Sequence, residues 1–377
     1  MKAPRYDAGG LGRLLSRPFG SEELSPIEGP GVVVLDLEAT SESDAELWRG
    51  ALLEQLPGLP CVTIAVEASG ASELSNPSES KRSLSSTCDV VLSESADLDD
   101  FLADFAKTPI AALAFVQLLR TATSLPIQGG LAAESFVYST LQSGSEFKAW
   151  LAARAKPVRA ERKAATRASR TTRAAAAATF AAGESPCRLE RVGHRLTITL
   201  CRPDKHNAFS RAMRDALVEG LQLALADSSI DEVVICGEGE SFCSGGDLDE
   251  FGTATDPAIA HVIRTTRSPA FLISRLAGRI RFQVHGACLG AGVELPAFSD
   301  RVIAHEHAFF QLPEIALGLI PGAGGTVSLP RRIGRQRTAW LGLSGRRIDA
   351  RTALSWGLVD EVRLGQHVDG RGSIDSN

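Results

Sequence analysis

The run HGACLGAGVELPAF, residues 285–298, limits what this chain can fold into more than any other stretch. Gly286, Gly290 and Gly292 lead into one carboxylate, Glu294, in a segment otherwise suited to burial. A buried ionised carboxylate is costly unless it is paired or hydrogen-bonded, so the fold must bring donors to it. RFQVHG before it reads as a strand, and an apolar helix is expected to begin near Val293. Amides at a helix start point outward and carry partial positive charge, which suits an oxyanion. Pro296 is tolerable there within a first turn. A dinucleotide loop fits the glycine spacing poorly and needs a βαβ setting with a ribose-binding acid.

Two other segments have the same texture. EGESFCSGGDLDEF (238–251) follows the strand DEVVICG and places Ser244, Gly245 and Gly246 before Asp247. Small side chains let a ligand approach the backbone and its N–H groups, although the stretch alone is also an ordinary glycine turn. In FFQLPEIALGLIPGAGGTVSLPRRIG (309–334), Glu314 follows Pro313 near an expected helix start, and IPGAGGT opens a further helix. Taken singly, each glutamate reads more readily as a buried acid satisfied by backbone donors or an arginine.

Strands and helices alternate around these segments. VVVLDL (32–37) and CVTIAV (61–66) read as buried strands, with a helix between them whose Leu47, Leu52 and Leu56 share a face. Ser69 to Ser86 reads as a loop and CDVVLS as a strand. Two helical stretches follow, broken at Pro109 and at Gly144, where Ser143 and Glu146 have capping-box spacing. After an Ala/Arg-rich stretch, RLTITL, DEVVICG, RIRFQVHG and RVIAHEHAFFQL are extended, and SRAMRDALVEGLQLALA is a helix with Met213, Leu217 and Leu221 on one face. The expected class is α/β: a smaller domain with a helical end (1–157), a linker (158–184), a second domain (185–362) and a loose tail (363–377).

Composition narrows the function. A net charge of −5 provides no global basic field, and the basic linker reads as a solvated face in preference to a nucleic-acid or membrane patch. Seven cysteines lack CxxC spacing, and Cys201, Cys236 and Cys288 read as small core residues. His305 and His307 share a strand face without a third ligand nearby, so no metal site is expected. No run reaches the ~18 apolar residues of a membrane span. The first residues also lack the apolar core of a signal peptide, so the cytoplasm is the expected location.

Four motifs in order now carry a resemblance. RPDKHNAFS, SFCSGGDL, VHGACLGAGVEL and LPEIALGLIPGAGGT are similar to successive motifs of the crotonase, or enoyl-CoA hydratase/isomerase, family, from about Arg188 to Val362. The resemblance implies a spiral of ββα repeats with flanking helices. It implies a thioester oxygen held by the backbone N–H groups of Ser244 and Ala291, the latter replacing the glycine common there. Glu294 and Glu314 match the family's acid pair, Glu294 activating water and Glu314 exchanging a proton at the α-carbon. Lys205, Asn207, Ala208, Gly245, Gly246, Asp247, Gly290 and Gly322 match substrate- and CoA-binding positions. The implied activity is enoyl-CoA hydration or dehydration. Isomerase, decarboxylase and thioester hydrolase chemistry, or a non-catalytic acyl-CoA-binding subunit, remain alternatives. CoA arrives with the substrate, no other cofactor is needed, and the family's trimers and hexamers imply a homo-oligomer. Phe251, Phe298 and Trp340 are candidate walls for the acyl group.

Family members usually continue into helices that cover the site, whereas GLVDEV here is followed by a short polar stretch. TPIAALAFVQLLR and GLAAESFVYSTLQSGSEFKAWLAARAKP in the first half resemble those helices, and VVVLDL with CVTIAV resembles a degenerate start of the same fold. The expectation is that helices from about Pro109 to Ala155 complete the second domain. The alternative is an independent first domain.

Overall fold

The computed structural model describes residues 3–67, 77–93, 97–155 and 185–365. The expected linker, and the expected tail beyond residue 365, lie outside the described residues. The chain divides into two compact units: Met1–Glu134, Gln311–Pro321 and Thr326–Arg347 form the first, and Ser135–Phe310, Gly322–Gly325 and Ile348–Asn377 the second. Each unit therefore draws on both halves of the sequence.

In the first unit β1 (Arg5–Tyr6), β2 (Val32–Asp36), β3 (Val62–Val66) and β4 (Val90–Leu92) form a parallel sheet in that order. Every residue of β2 and β3 is buried, so both read as unbroken apolar runs without alternation. Helices α1 (Ala8–Leu15), α2 (Glu42–Gln55) and α3 (Glu79–Thr87) supply Leu11, Leu14, Ala45, Leu52 and Leu84 to a core with Val33, Leu35 and Ala65. Asp7, Ser41 and Ser78 cap these helices through side-chain oxygens.

Two expectations are corrected here. Leu47 is 74% exposed. It lies five positions before Leu52, about 140° around a helix, and Trp48 packs on the core in its place. The second part of the serine-rich stretch is not loop but α3, which Ser78 starts and Leu84 anchors. Its other residues are too polar to show a helical stripe.

The second unit begins within α6 (Ile127–Gln142), which the unit boundary divides after Glu134, and continues into α7 (145–155). Its main sheet has the order β13-β10-β8-β7-β6-β5, from β5 (Cys187–Val192), β6 (Arg195–Leu200), β7 (Glu232–Gly237), β8 (Ile280–Val284), β10 (Arg301–His305) and β13 (Glu361–Arg363). Only β5 and β6 pair antiparallel; the other neighbours are parallel. A smaller sheet joins β9 (Ala287–Leu289), β11 (Phe309–Gln311) and β12 (Ile348–Asp349). Parallel neighbours need crossovers. These are α8 (Arg211–Ala226) after β6, with Met213, Leu217 and Leu221 buried, and α9 (Pro257–Thr266) with α10 (Pro269–Arg275) after β7. The loops that follow β6, β7 and β8 leave the same carboxyl edge of the sheet, where open α/β sheets bind ligands. These loops carry the first three sequence motifs. The helix expected near Val293 is a single turn, α11 (Ala291–Glu294), and Pro296 opens a separate 3-10 turn to Phe298.

The chain then supplies α12 (Gly325–Ile333), from Thr326 on, and α13 (Arg335–Ser344) to the first unit, and α14 (Ala350–Trp356) to the second. In the first unit α4 (Leu98–Phe105) and α5 (Pro109–Thr121) are broken at Pro109 as expected, and α13 packs on both and on β4. Asp89, 1% exposed, is the anchor of this packing. Arg120 of α5 forks onto it at 2.9 and 2.6 Å, Arg335 of α13 reaches it at 3.1 Å, and Thr63 donates through N–H and Oγ1 at 2.9 Å each. The two arginines also donate to the carbonyls of Leu59, Cys61, Ser86, Thr87 and Cys88. Among the described residues no single helix is long and apolar enough to cross a membrane.

Removing one partner of a buried ion pair strands the others. Asp89→Ala is expected to lower the unfolding free energy of the first unit by about 3–5 kcal/mol in urea titrations. A loss under about 1 kcal/mol, the range of exposed pairs, would contradict the anchoring role.

Candidate active site

In the second unit the loops after β7 and β8 lie side by side. Cys243 pairs with Cys288 as an isolated parallel bridge; Cys243 N–H donates to Ala287 O at 3.1 Å and Leu289 N–H to Cys243 O at 2.9 Å. The approach requires glycine at two places. Gly245 has φ +84°, where a Cβ would press on Leu289 O, and Gly290 has φ 48° and ψ −116°, a backbone side chains do not tolerate. Gly290 is the N-cap of α11, so the Ala291 N–H is an unpaired helix-start donor with no acceptor among the described residues. Ser244 differs: its N–H donates to His206 O at 3.0 Å. It can serve a ligand only by sharing that hydrogen or exchanging the acceptor.

The loop after β6 holds this edge in shape. Asn207 is fully buried, accepts from Arg202 N–H at 2.8 Å and donates to Glu238 O and Ser241 O at 2.8 and 2.9 Å. Its side chain is engaged by the protein, as is that of Asp247, which accepts from Arg202 Nη1 at 3.2 Å and from Asp249 N–H at 3.1 Å. Ala208 is buried and Gly246 receives the ring of Phe251. Lys205 keeps a half-exposed ammonium, 3.1 Å from Asp249.

Glu294 sits at the end of the one-turn helix, 2% exposed. Its Oε2 accepts from Ala323 N–H at 2.7 Å and from Gly325 N–H at 2.8 Å. The GAGGT turn is thus the donor set that a buried carboxylate requires. Gly324 between those donors has φ +105°, and a Cβ there would overlap Phe298. Burial pushes the Cys243 thiol up to about 12, with the charge of Glu294 acting in the same sense. That thiol stays protonated and is no nucleophile. His285 is also buried beside the loop; burial lowers its pKa, and Nε2 bonds to Gly239 O at 2.9 Å.

Glu314 belongs to the first unit. The residue as a whole is partly exposed, yet its Oε2 is sealed from solvent without a partner. Burial raises its pKa from 4.5 to about 8, its own backbone N–H opposes this, and the charge of Glu134 adds to it. Burial therefore favours the protonated form of Glu314.

Several residues were not singled out by sequence. Phe147 and Trp150 of α7 meet Phe251 at ring-centroid separations of 6.3 and 5.9 Å, and Leu151 fills the space at Gly252. Gly322 receives the ring of Tyr138 from α6, over which Arg264 lies at 4.8 Å. Trp340, in contrast, falls in α13 of the first unit. Glu134 had a legible signal, a lone acid in an apolar helix, the same pattern that marks Glu294. The rings of His305 and His307 lie 5.2 Å apart, and no group of three metal-ligating side chains occurs among the described residues.

Main-chain donors beside a fixed carboxylate, at the carboxyl edge of a parallel sheet, are an arrangement able to hold an oxygen that gains charge. Residues 194–369 match the family model of enoyl-CoA hydratase/isomerase. Residues 194–369 are thus a crotonase-family region of the chain. It is 39% identical over 168 residues to the 2,3-dehydroadipyl-CoA hydratase of Escherichia coli (strain K12), covering 44% of this chain and 65% of that protein. It is 35% identical over 173 residues to the 1,2-epoxyphenylacetyl-CoA isomerase of the same organism, covering 44% and 65%. A crystal structure of enoyl-CoA hydratase from Thermoplasma volcanium GSS1 is similar at 33% identity and a TM-score of 0.45, covering 48% of this chain and 72% of that one. The chain thus spans slightly less than two thirds of the two curated relatives.

The raised pKa of Glu314 has a consequence for stability that needs no substrate. Between the ordinary value of 4.5 and about 8 the folded chain holds a proton that the unfolded chain has lost. This group's contribution is complete below that window and is lost as pH rises through it. Glu314→Gln does not titrate, so its melting temperature should gain on the parent's from pH 4.5 to about 8 and then run parallel. A constant difference across the window would contradict the buried, protonated acid.

Proposed function

We propose that the chain is an enoyl-CoA hydratase-type lyase, adding water across the 2,3 double bond of an acyl-CoA thioester or removing it. The observation that carries this reading is Glu294, a buried carboxylate that accepts two backbone N–H bonds and shares its helical turn with the Ala291 donor. By its match to the family motif, Glu294 is the base of this reaction and Glu314 the acid. Glu294 takes a proton from water as the oxygen bonds to C3, and the π pair moves onto the thioester oxygen. The N–H groups of Ala291 and Ser244 hold that oxygen, and Glu314 gives its proton to C2. The enolate pair returns to form the C2–H bond, and loss of a proton from Glu294 and regain of one by Glu314 through solvent resets the acids, so the sum is one water added. Lys205 is the exposed cation of the matched CoA-binding segment and faces the phosphates in this reading.

The first half takes part as well. Phe147 and Trp150 pack against Phe251, five residues beyond Gly246, which supports a role for α7 in the acyl wall. Residues 185–377 expressed alone are expected to lose turnover; a soluble, fully active fragment would contradict that role.

Hydration is followed as loss of the conjugated enoyl absorbance. Glu294→Gln and Glu314→Gln should each lower kcat by about 10²–10⁴-fold while CoA-ester binding persists. On the alkaline side turnover should fall as pH rises through about 8, where Glu314 loses its proton. Binding without turnover in the parent would favour an acyl-CoA-binding subunit, and double-bond migration without water uptake an isomerase.

A further inference from the structure

The turn that holds Glu294 has donors and glycines at alternate positions. The amides of Ala323 and Gly325 donate to Glu294 Oε2 at 2.7 and 2.8 Å, and the glycines at 322 and 324 each meet an aromatic ring. Gly324 has φ +105°, so its backbone already requires glycine. Gly322 is under no such constraint, because its φ lies outside the left-handed region. Tyr138 is what excludes a side chain there: a Cβ on Gly322 would come within 2.5 Å of Cε2 and 2.6 Å of Cδ2. The ring therefore lies on the main chain one residue before the first donor. A glycine at an ordinary backbone angle is the freest residue a chain can have, and the ring removes that freedom.

Tyr138 is itself held. Ser135, Tyr138, Ser139 and Gln142 share one face of α6 at helical spacing. Arg264 of α9 spans that face. Its guanidinium lies 4.8 Å from the centre of the Tyr138 ring, a cation drawn to an aromatic face. Its Nε donates to Ser135 Oγ at 3.0 Å, Nη2 to Ser135 O at 3.2 Å and to Ser139 Oγ, and Nη1 to Gln142 Oε1 at 3.4 Å. The start of α9 joins the same face, where Ser139 Oγ donates to Pro257 O at 2.9 Å and His261 Nδ1 lies 2.9 Å from Ser135 Oγ. All these residues, with Glu294 and the turn, belong to the second unit.

We propose that Tyr138 is a positioning residue for the reaction: clamped by Arg264, its ring fixes Gly322 and keeps the Ala323 and Gly325 amides on Glu294. The proposal deepens the hydratase reading and rests on it for the role of Glu294. The first half of the sequence then supplies the ring that aims the base of the second half.

The test uses the full chain with crotonyl-CoA. Tyr138→Leu should lower kcat by about 10–100-fold with KM nearly unchanged, the scale of a small misplacement of a reacting group. Tyr138→Phe keeps the ring and should recover most of that loss. Joined to Glu294→Gln, Tyr138→Leu should cost less than about twofold more, since residues that act as one unit are not additive. Without substrate, the amide protons of Ala323 and Gly325 are read by nitrogen-15 spectroscopy, with Glu294→Gln marking their positions when the charged acceptor is lost. Tyr138→Leu should move both toward those positions and Tyr138→Phe should not. Unmoved resonances, a phenylalanine as damaging as leucine, or losses that add in the double variant overturn the proposal. So does a raised KM with kcat kept, which would make the ring a contact of the acyl group. If Tyr138→Leu does not fold, Arg264→Met releases the clamp away from the turn, and unmoved resonances in it overturn the proposal equally. Moved resonances in a chain without turnover support the positioning of Glu294 and instead remove the hydratase reading.

Discussion

A carboxylate withdrawn from water has to be met by donors, and in this protein the donors come from distant parts of the chain. Asp89 is met by Arg120 and Arg335, Glu134 by Thr326, and Glu294 by the amides of Ala323 and Gly325. Each of the first two arrangements joins the N-terminal half to the segment 326–347. The same requirement that stabilises the first unit therefore prevents the halves of the sequence from being separate modules. Glu314 is the exception, a buried oxygen left without a donor. Remaining neutral is the alternative to pairing, and a neutral acid has a proton to give.

Within the second unit, topology arranges the loops. Because β6, β7 and β8 run parallel, their following loops emerge together, and glycines at 245 and 290 let two of those loops touch. Among the described residues the Ala291 N–H faces no acceptor, as a helix start dictates. Replacing the family's usual glycine by alanine at 291 leaves that donor in place, since φ strain falls on Gly290. The hold of His206 on Ser244 makes the two donors unequal, with Ala291 the readier one.

Much of this was legible in the sequence. Buried strands such as VVVLDL, the amphipathic face of α8 and the break at Pro109 follow from local pattern and proline chemistry. Glu294 was marked by its isolation among apolar residues. What local pattern could not supply was pairing across long separations. Nothing near Asp89 announces Arg335, and nothing near Glu134 announces Thr326. α3 was hidden because a helix held by one cap and one leucine has no apolar stripe, and Leu47 misled because five residues is not a helical repeat. The engagement of Asn207 and of the Ser244 amide depends on three-dimensional neighbours that motif matching does not see.

The central claim is that main-chain hydrogens at the start of α11 polarise a thioester carbonyl. Carbon-13 spectroscopy of a non-reacting acyl-CoA labelled at the thioester carbon, bound to the full chain, reads that polarisation directly. The account predicts a downfield shift on binding that is lost in Ala291→Pro, which deletes the N–H at a position where a helix accepts proline. A saturated complex with the resonance unchanged from free ligand would contradict it.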